Sequence, residues 1–358
     1  MAFSESIYKD ESIPQRQQEL TSKSFGGTEL TTLELWSHLP QKYKDDYNWI
    51  ISRVYKNSFD SDKPSIYWLH DLAGDPMHQA VLGQPQTVDI IDKFIFSSHW
   101  QYESFIKRFK LPHERCEIQK TAIFPIDDHK KSEDGKFNLI YASTPQRGLL
   151  LLLKALEEIG RDDWHLDVYS SFKVYGWDDN DKQFSELFDI IDKHPNMTHH
   201  EPVIGRPLRE EWQKAHIWTH PSIWEETSCR TAMEAMTARA AMVTSNHGAL
   251  SETCCDFAYM YPFIDILKEH VERFADELDQ VMDNYWDSEV QNNLNAAKTY
   301  ADTFYNWEYR SKKWIEMFEL MEIDYELTED ATEGDDGSTN TVDGDNDGGV
   351  RGTDSGVQ

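Results

Sequence analysis

Basic residues, cysteines and long apolar runs are all scarce in this chain. Lysine and arginine number 35 against 65 aspartates and glutamates, for a formal net charge of −30. A surface of that sign repels polyphosphate, which excludes nucleic acid or an anionic bilayer as the principal partner. Any phosphate site must then be local, built from helix N-termini and a few basic side chains. The four cysteines, Cys116, Cys229, Cys254 and Cys255, form no C-x-x-C pair, and the adjacent Cys254 and Cys255 cannot easily chelate one zinc. Free thiols in a reducing cytoplasm are the simplest account. No apolar run approaches the ~20 residues of a membrane span. The opening MAFSESIYKDESIPQRQQEL has no signal-peptide core. The expectation is a soluble, cytoplasmic protein without a transmembrane segment, long enough at 358 residues for two domains.

What is present concentrates in residues 215–252. Ala215–Thr219 reads as an apolar strand that reaches Pro221-Ser222 and the acidic pair Glu225-Glu226. Thr227-Ser228 then offers an N-cap to a helix running through Ala238. A second strand, Ala241–Ser245, ends in Asn246-His247-Gly248, with Glu252 just beyond. Alternation of strand, loop and helix implies a parallel sheet whose carboxyl ends carry the loops. Glu226 falls in the first loop and Glu234 in the helix, at most ~12 Å apart along its axis. That spacing suits a ligand with hydroxyls at both ends and negative charge between them. Free N–H groups of the first helical turn, around Ser228 to Arg230, would face the charge. A nucleotide-diphosphate sugar has this layout.

The run PSIWEETSCRTAMEAM, followed by MVTSNHGALSE, resembles the donor-binding segment of the retaining family-4 glycosyltransferases. The resemblance implies an α/β fold of the GT-B type, two Rossmann-like domains facing a cleft. It implies that Glu226 approaches the transferred sugar and Glu234 holds the ribose hydroxyls. Thr227 and Ser228 then open the donor helix, and the loop from Gly248 to Glu252 borders the donor. The family usually has Gly and Pro after that helix, where this chain has Arg239 and Ala241. Loss of the glycine removes an easy left-handed C-cap, at roughly 1 kcal/mol.

Upstream, Ser24–Glu29 opens a helix through about Leu39, and the pair Gly26-Gly27 lets backbone N–H groups approach a phosphate. The resemblance gives both glycines to the donor diphosphate. Strands are expected over Asn48–Val54, Ser65–Leu69 and Asp92–Ser97. The second of these ends in His70-Asp71, where a binding residue is expected, although a turn histidine satisfied by Asp71 fits equally. The resemblance places His70 at the sugar or acceptor. An amphipathic helix to Phe109 and the segment Lys120–Pro125 complete this half, and Asp127–Lys136 reads as a polar linker.

The second half opens with a strand, Phe137–Ala142, then Ser143–Gly148 and a helix, Leu149–Ile159. Family members carry an Arg and a Lys here as a diphosphate clamp. Arg147 stands at the Lys position with a fork suited to phosphate oxygens, and Ala142 stands at the Arg position. Thr144 offers a neutral hydrogen bond instead. After a strand at Trp164–Tyr169, the stretch Thr198–Gly205 leads toward the base pocket, with Val203, Ile204 and Gly205 as contacts. Asp178–Asp181 reads as a solvated loop, and no metal site is expected. In the aromatic helix Phe304–Leu320, Trp307, Tyr309 and Trp314 are expected to fill core. The calcium-loop spacing of Asp343–Asp354 is what an acidic Gly-Asp tail produces by chance.

The expected organisation is an N-terminal Rossmann-like acceptor-side domain (1–126), a linker (127–136) and a C-terminal Rossmann-like donor domain (137–304). A crossover helix (305–326) and a disordered acidic tail (327–358) follow. The expected function is a retaining, metal-independent glycosyltransferase with no cofactor beyond its donor substrate. It would move a sugar from a nucleotide-diphosphate sugar to a hydroxyl acceptor, a glycan or small molecule, with Glu226, His70 and Arg147 as catalytic residues. Two alternatives share the fold: a nucleotide-sugar epimerase, and a nucleotide-sugar-binding protein without transferase activity, for which the missing clamp at Ala142 speaks.

Overall fold

Runs such as Asn48–Ile51, Ser65–Trp68 and Ala241–Ser245 are buried along their whole length, as strands covered on both faces must be, and they pair in parallel. The computed structural model describes residues 26–54, 58, 59, 61–203 and 206–333. Its first sheet holds β1 (Asn48–Ile51), β2 (Ser65–Trp68), β3 (Lys93–Phe96) and β4 (Cys116–Ile118), in the order β1-β2-β3-β4. The second holds β5 (Phe137–Tyr141), β6 (Trp164–Val168), β7 (Met197–His199), β8 (Ile217–His220), β9 (Ala241–Ser245) and β10 (Tyr259–Tyr261). Its order is β10-β9-β8-β5-β6-β7, all parallel. From β5 the chain builds outward through β6 and β7, then returns to the other side of β5 for β8, β9 and β10. The strand order therefore reverses between β5 and β8, where Leu139 and Ile140 are in register with Ile217 and Trp218. A crevice opens beyond the carboxyl ends of such a pair, because the loops leave in opposite directions.

Each sheet is covered on both faces. On the first, Ile50, Tyr67, Phe94, Phe96 and Phe105 form one core. The other face is aromatic: Trp49 meets Trp36 edge-on at 4.6 Å, and Trp314 lies 5.5 Å from Trp49 and 4.9 Å from Trp68. Trp307 and Trp314 are fully buried, and Tyr309 is half-buried. On the second sheet the helix Leu149–Ile159 packs Leu152 and Leu156 with Phe274 and Leu278 of the helix Leu267–Asn284. Met233, Met236 and Met242 pack the opposite face around Trp218. Both sheets belong to a unit of residues 1–315; residues 316–358 form a second, described as helix up to Glu333.

Several elements end earlier or later than their composition suggests, for local reasons. The strand read through Val54 stops at Ile51, because Ser52 takes a left-handed φ of 57°. The helix at the glycine turn is Gly27–Trp36 rather than running to Leu39. The first sheet closes with Cys116–Ile118, ahead of Lys120–Pro125, of which only Ile123 makes an isolated bridge, to Asn306. The helix read from Phe304 is two helices, Ser288–Phe304 and Trp307–Glu333, and Asn306 starts the second by accepting the N–H of Tyr309 at 2.9 Å. Asp178–Phe184 is a 3-10 helix; within it Asp181 accepts the Phe172 N–H at 2.8 Å, a structural task. Asp127–Lys136 has no regular element, yet Lys131 is buried and donates to the carbonyls of Trp212, at 3.3 Å, and Gln213, at 3.0 Å. Burial, and then Arg239 and Lys298, push its amine down to about 7. The acidic stretch Asp343–Asp354 lies outside the described residues.

Arg239 has a φ of 56°, the left-handed conformation that glycine adopts without strain. Arg239→Gly should therefore raise stability by about 1 kcal/mol, measured by urea denaturation. No gain would mean that contacts of the arginine side chain outweigh its backbone strain.

Candidate active site

Arg147 and Glu226 are brought together by the reversal of strand order. Arg147 closes the turn that leaves β5, and Glu226 lies in the loop that leaves β8. The Ile223 N–H donates to the Arg147 carbonyl at 3.2 Å, clipping the two loops together. One Arg147 Nη donates to both Glu226 oxygens, at 2.7 and 2.9 Å. Burial alone would raise the Glu226 carboxyl, but Arg147 and His220 override it and hold it down at about 2. The carboxylate is therefore ionised at any physiological pH. Its backbone is set by the next loop: Glu226 bridges Gly248, and its carbonyl accepts the Ala249 N–H at 2.6 Å. Gly248 has a φ of +65°, and a Cβ there would lie 2.5 Å from the Glu226 nitrogen. Glycine at 248 thus serves to let the two loops touch.

These residues line a cleft of about 1160 Å³, together with Gly26, Gly27, His70, Ala142, Thr144, Val203, Thr227, Ser228 and Glu234. The His70 ring lies tilted against Trp68 at 4.5 Å, and it is held neutral, down at about 3, by burial and then by Arg230. Buried polar atoms of the lining stand without a protein partner among the described residues: His70 Nε2, Thr144 Oγ1, Gln146 Oε1 and Arg147 Nε. Such orphans are uncommon in native proteins unless a ligand or water meets them. Most of them cluster in the turn 144–147.

The N-cap expected from Thr227-Ser228 is not formed. The helix begins at Arg230, with Cys229 at its N-cap and no side-chain cap bond. Both hydroxyls instead reach the first half: Thr227 donates to the His70 carbonyl at 2.9 Å, and Ser228 pairs with the Thr121 hydroxyl at 2.8 Å. Two residues expected at the donor are not among those lining the cleft. Gly248 acts through Glu226, as above. Glu252 is held by Lys120 at 2.9 Å, by His99 at 2.8 Å and by the Trp100 N–H at 3.2 Å. Gly205 and Ile204 lie outside the described residues.

Residues 126–299 match the glycosyl transferases group 1 family. That segment belongs to this family. Among curated proteins there is no match. Similar solved structures include a glycosyltransferase from Rickettsia africae, at 11% identity and a TM-score of 0.60, covering 81% of this chain and 80% of that one. Anabaena HepE in complex with UDP-glucose is similar at 13% identity and a TM-score of 0.59, over 81% and 82% of the two chains. Sucrose-phosphate synthase from Thermosynechococcus elongatus is similar at 14% and 0.60, over 82% and 77%. The fold of this glycosyl transferase is α/β with two parallel sheets, of the GT-B type.

One cleft residue of this transferase has no signal in its sequence. Arg230 pairs with the buried Glu34 at 2.8 Å and also donates to the Ala122 carbonyl at 2.8 Å and to Thr31 at 3.2 Å. Its partner is 196 positions away, so no local spacing could reveal it. A metal fits less well. His220, Glu226 and Cys229 bring possible ligand atoms within 4.8 Å of one another. Arg147 already holds that carboxylate, however, and burial, with Glu226, pushes the Cys229 thiol up to about 12.

Glu234 is half-buried in the cleft, and its carboxyl is raised to about 7, by burial first and then by Glu34 against the pull of Arg230. The unfolded chain releases this proton near the ordinary value of 4.5, whereas the folded chain keeps it to about 7. Folding then takes up a proton between the two, so this carboxyl lowers stability as pH rises from 4.5 to about 7. Glu234→Gln should therefore be more stable than the parent by about 2 kcal/mol at pH 8, and equal to it near pH 4. Denaturation at the two pH values checks this; a pH-independent difference would deny the shift.

Proposed function

We propose that this group 1 glycosyl transferase takes a nucleoside-diphosphate sugar as donor. It passes the sugar to an acceptor hydroxyl with retention of anomeric configuration and without a metal ion. The observation that carries this reading is the Arg147–Glu226 pair at the strand-order reversal, in a cleft whose other wall presents Gly26 and Gly27. Glu234 faces the ribose hydroxyls. The diphosphate lies between the glycine turn, the N-terminus of the helix Arg230–Thr237 and Arg147. The sugar lies beside Glu226 and His70. HepE, of similar fold, was solved with UDP-glucose, so UDP is the first nucleotide to try.

The bond from the anomeric carbon to the phosphate oxygen breaks, leaving positive charge on the sugar and negative charge on the diphosphate. Glu226, ionised and fixed by Arg147, steadies the first. Arg147, whose fork keeps donors free of Glu226, and the backbone N–H groups steady the second by hydrogen bonds to the phosphate oxygens. The acceptor oxygen bonds to the anomeric carbon on the face the phosphate leaves, and its proton passes to the departing phosphate oxygen. His70, held neutral, hydrogen-bonds to a sugar or acceptor hydroxyl rather than carrying charge.

A thermal-shift screen over UDP-, GDP-, ADP- and CMP-sugars should single out one donor by mass-action stabilisation, and product analysis with that donor distinguishes transfer from epimerisation. With that donor, Glu226→Gln should lower turnover by about 10²- to 10³-fold, while UDP affinity stays within about threefold. Glu234→Ala should weaken UDP itself by on the order of 2 kcal/mol, the loss of ribose hydrogen bonds to a carboxylate. Equal loss of nucleotide affinity in both variants, by calorimetry, would reverse the assignment of the two ends.

A further inference from the structure

Gly26 has an ordinary φ of −71°, so no backbone conformation demands glycine there. Space does. A Cβ on Gly26 would fall 2.2 Å from Cε1 and 2.8 Å from Cδ1 of the Tyr175 ring. Tyr175 comes from the opposite wall, on the 3-10 turn Phe172–Tyr175 that follows β6. The charges that bear on its phenol belong to both walls: Arg147 and Glu226 on one, Glu29 and Asp71 on the other. All of these residues line the same cleft. The ring therefore crosses the cleft from the Arg147 side to the glycine turn.

The base of this loop is fastened and its tip is not built into a core. At the base, the Ser171 hydroxyl donates to Asp181, the Phe172 N–H donates to Asp181 at 2.8 Å, and Lys173 pairs with Glu201 at 2.8 Å. At the tip, Gly176 turns through a φ of +70°, and Trp177 is 55% exposed, its ring 5.2 Å from Tyr175. Tyr175 can leave the cleft by movement of this tip while the base stays in place.

We propose that Tyr175 gates the donor site. In the free protein its ring occupies the space between Gly26 and Arg147, which a diphosphate held by both must fill, and it swings out as the nucleotide enters. The gate rests on the donor reading above. A ring and a diphosphate cannot share that space, so apparent affinity equals intrinsic affinity multiplied by the fraction of molecules with the ring withdrawn. A gate open about one tenth of the time weakens binding about tenfold.

Two measurements test it, both on the full chain. In stopped-flow and calorimetric titration with UDP, Tyr175→Ala should raise the association rate and tighten binding about five- to tenfold. Tyr175→Phe, which keeps the ring, should match the parent. Weaker binding in both variants would overturn the gate and make the phenol a nucleotide contact. Unchanged binding in both would overturn the gate alone. Separately, Gly26→Ala should lower the melting temperature of the parent but not that of Tyr175→Ala; an equal loss in both backgrounds would deny the contact. If neither the parent nor Tyr175→Ala binds UDP, GDP, ADP or CMP, the donor reading falls and the gate with it. Binding by Tyr175→Ala where the parent shows none supports both.

Discussion

The buried ion pair between Arg230 and Glu34 is the constraint on which the site depends. Glu34 sits on the helix that opens at the glycine turn, and Arg230 begins the helix that carries Glu234. Trp307 donates its indole N–H to the same carboxylate at 2.8 Å, so three distant parts of the chain meet at one charged group. Breaking such a pair from one side leaves a buried charge uncompensated, at about 3–5 kcal/mol. That penalty holds the two walls of the cleft in one arrangement. The same charges reach Glu234, which Arg230 attracts and Glu34 repels. One ion pair thus sets both the geometry of the cleft and the protonation of the carboxyl within it.

Around this pair, the chain solves an electrostatic problem. Its net charge of −30 opposes any phosphate. The cleft answers with arginines that are individually neutralised by carboxylates, Arg147 by Glu226 and Arg230 by Glu34. Neutralised arginines leave the hydrogen-bonding capacity of the fork in place while limiting the field that a buried cation would otherwise create. The orphaned atoms of the turn 144–147 belong to Arg147 and its neighbours on the same cleft wall. Side-chain hydroxyls expected to cap the donor helix are diverted across the cleft, to His70 and Thr121. Its first N–H groups are therefore left without a side-chain cap.

Much of this was legible in local sequence. Glu226, Glu234, Arg147 and the glycine turn reach one cleft as their spacing and family resemblance imply. The strands at Phe137, Trp164 and Ala241 begin where their apolar runs begin. The left-handed backbone at Arg239 appears where a glycine was missed. Each of these depends on residues within a few positions of one another: an alternation of strand and loop, a helix start, a position that cannot take a Cβ without strain. Such features are set by backbone sterics and by the periodicity of burial, which are local.

Tertiary structure alone decided the partners. The Arg147–Glu226 pair spans 79 positions and the Arg230–Glu34 pair 196, and no pattern in the chain selects one arginine for one glutamate. Glu252 illustrates the converse: its place beyond Gly248 suggested the donor, but folding brought Lys120 and His99 to it instead. The reason is physical. A charged side chain is placed by its backbone element and paired by whatever the packing of the two sheets brings within reach, and that packing is a property of the whole chain. Composition and periodicity determined that there would be parallel sheets with loops at their carboxyl ends. Which of those loops would touch, and which charges would be neutralised there, was decided by the reversal of strand order between β5 and β8.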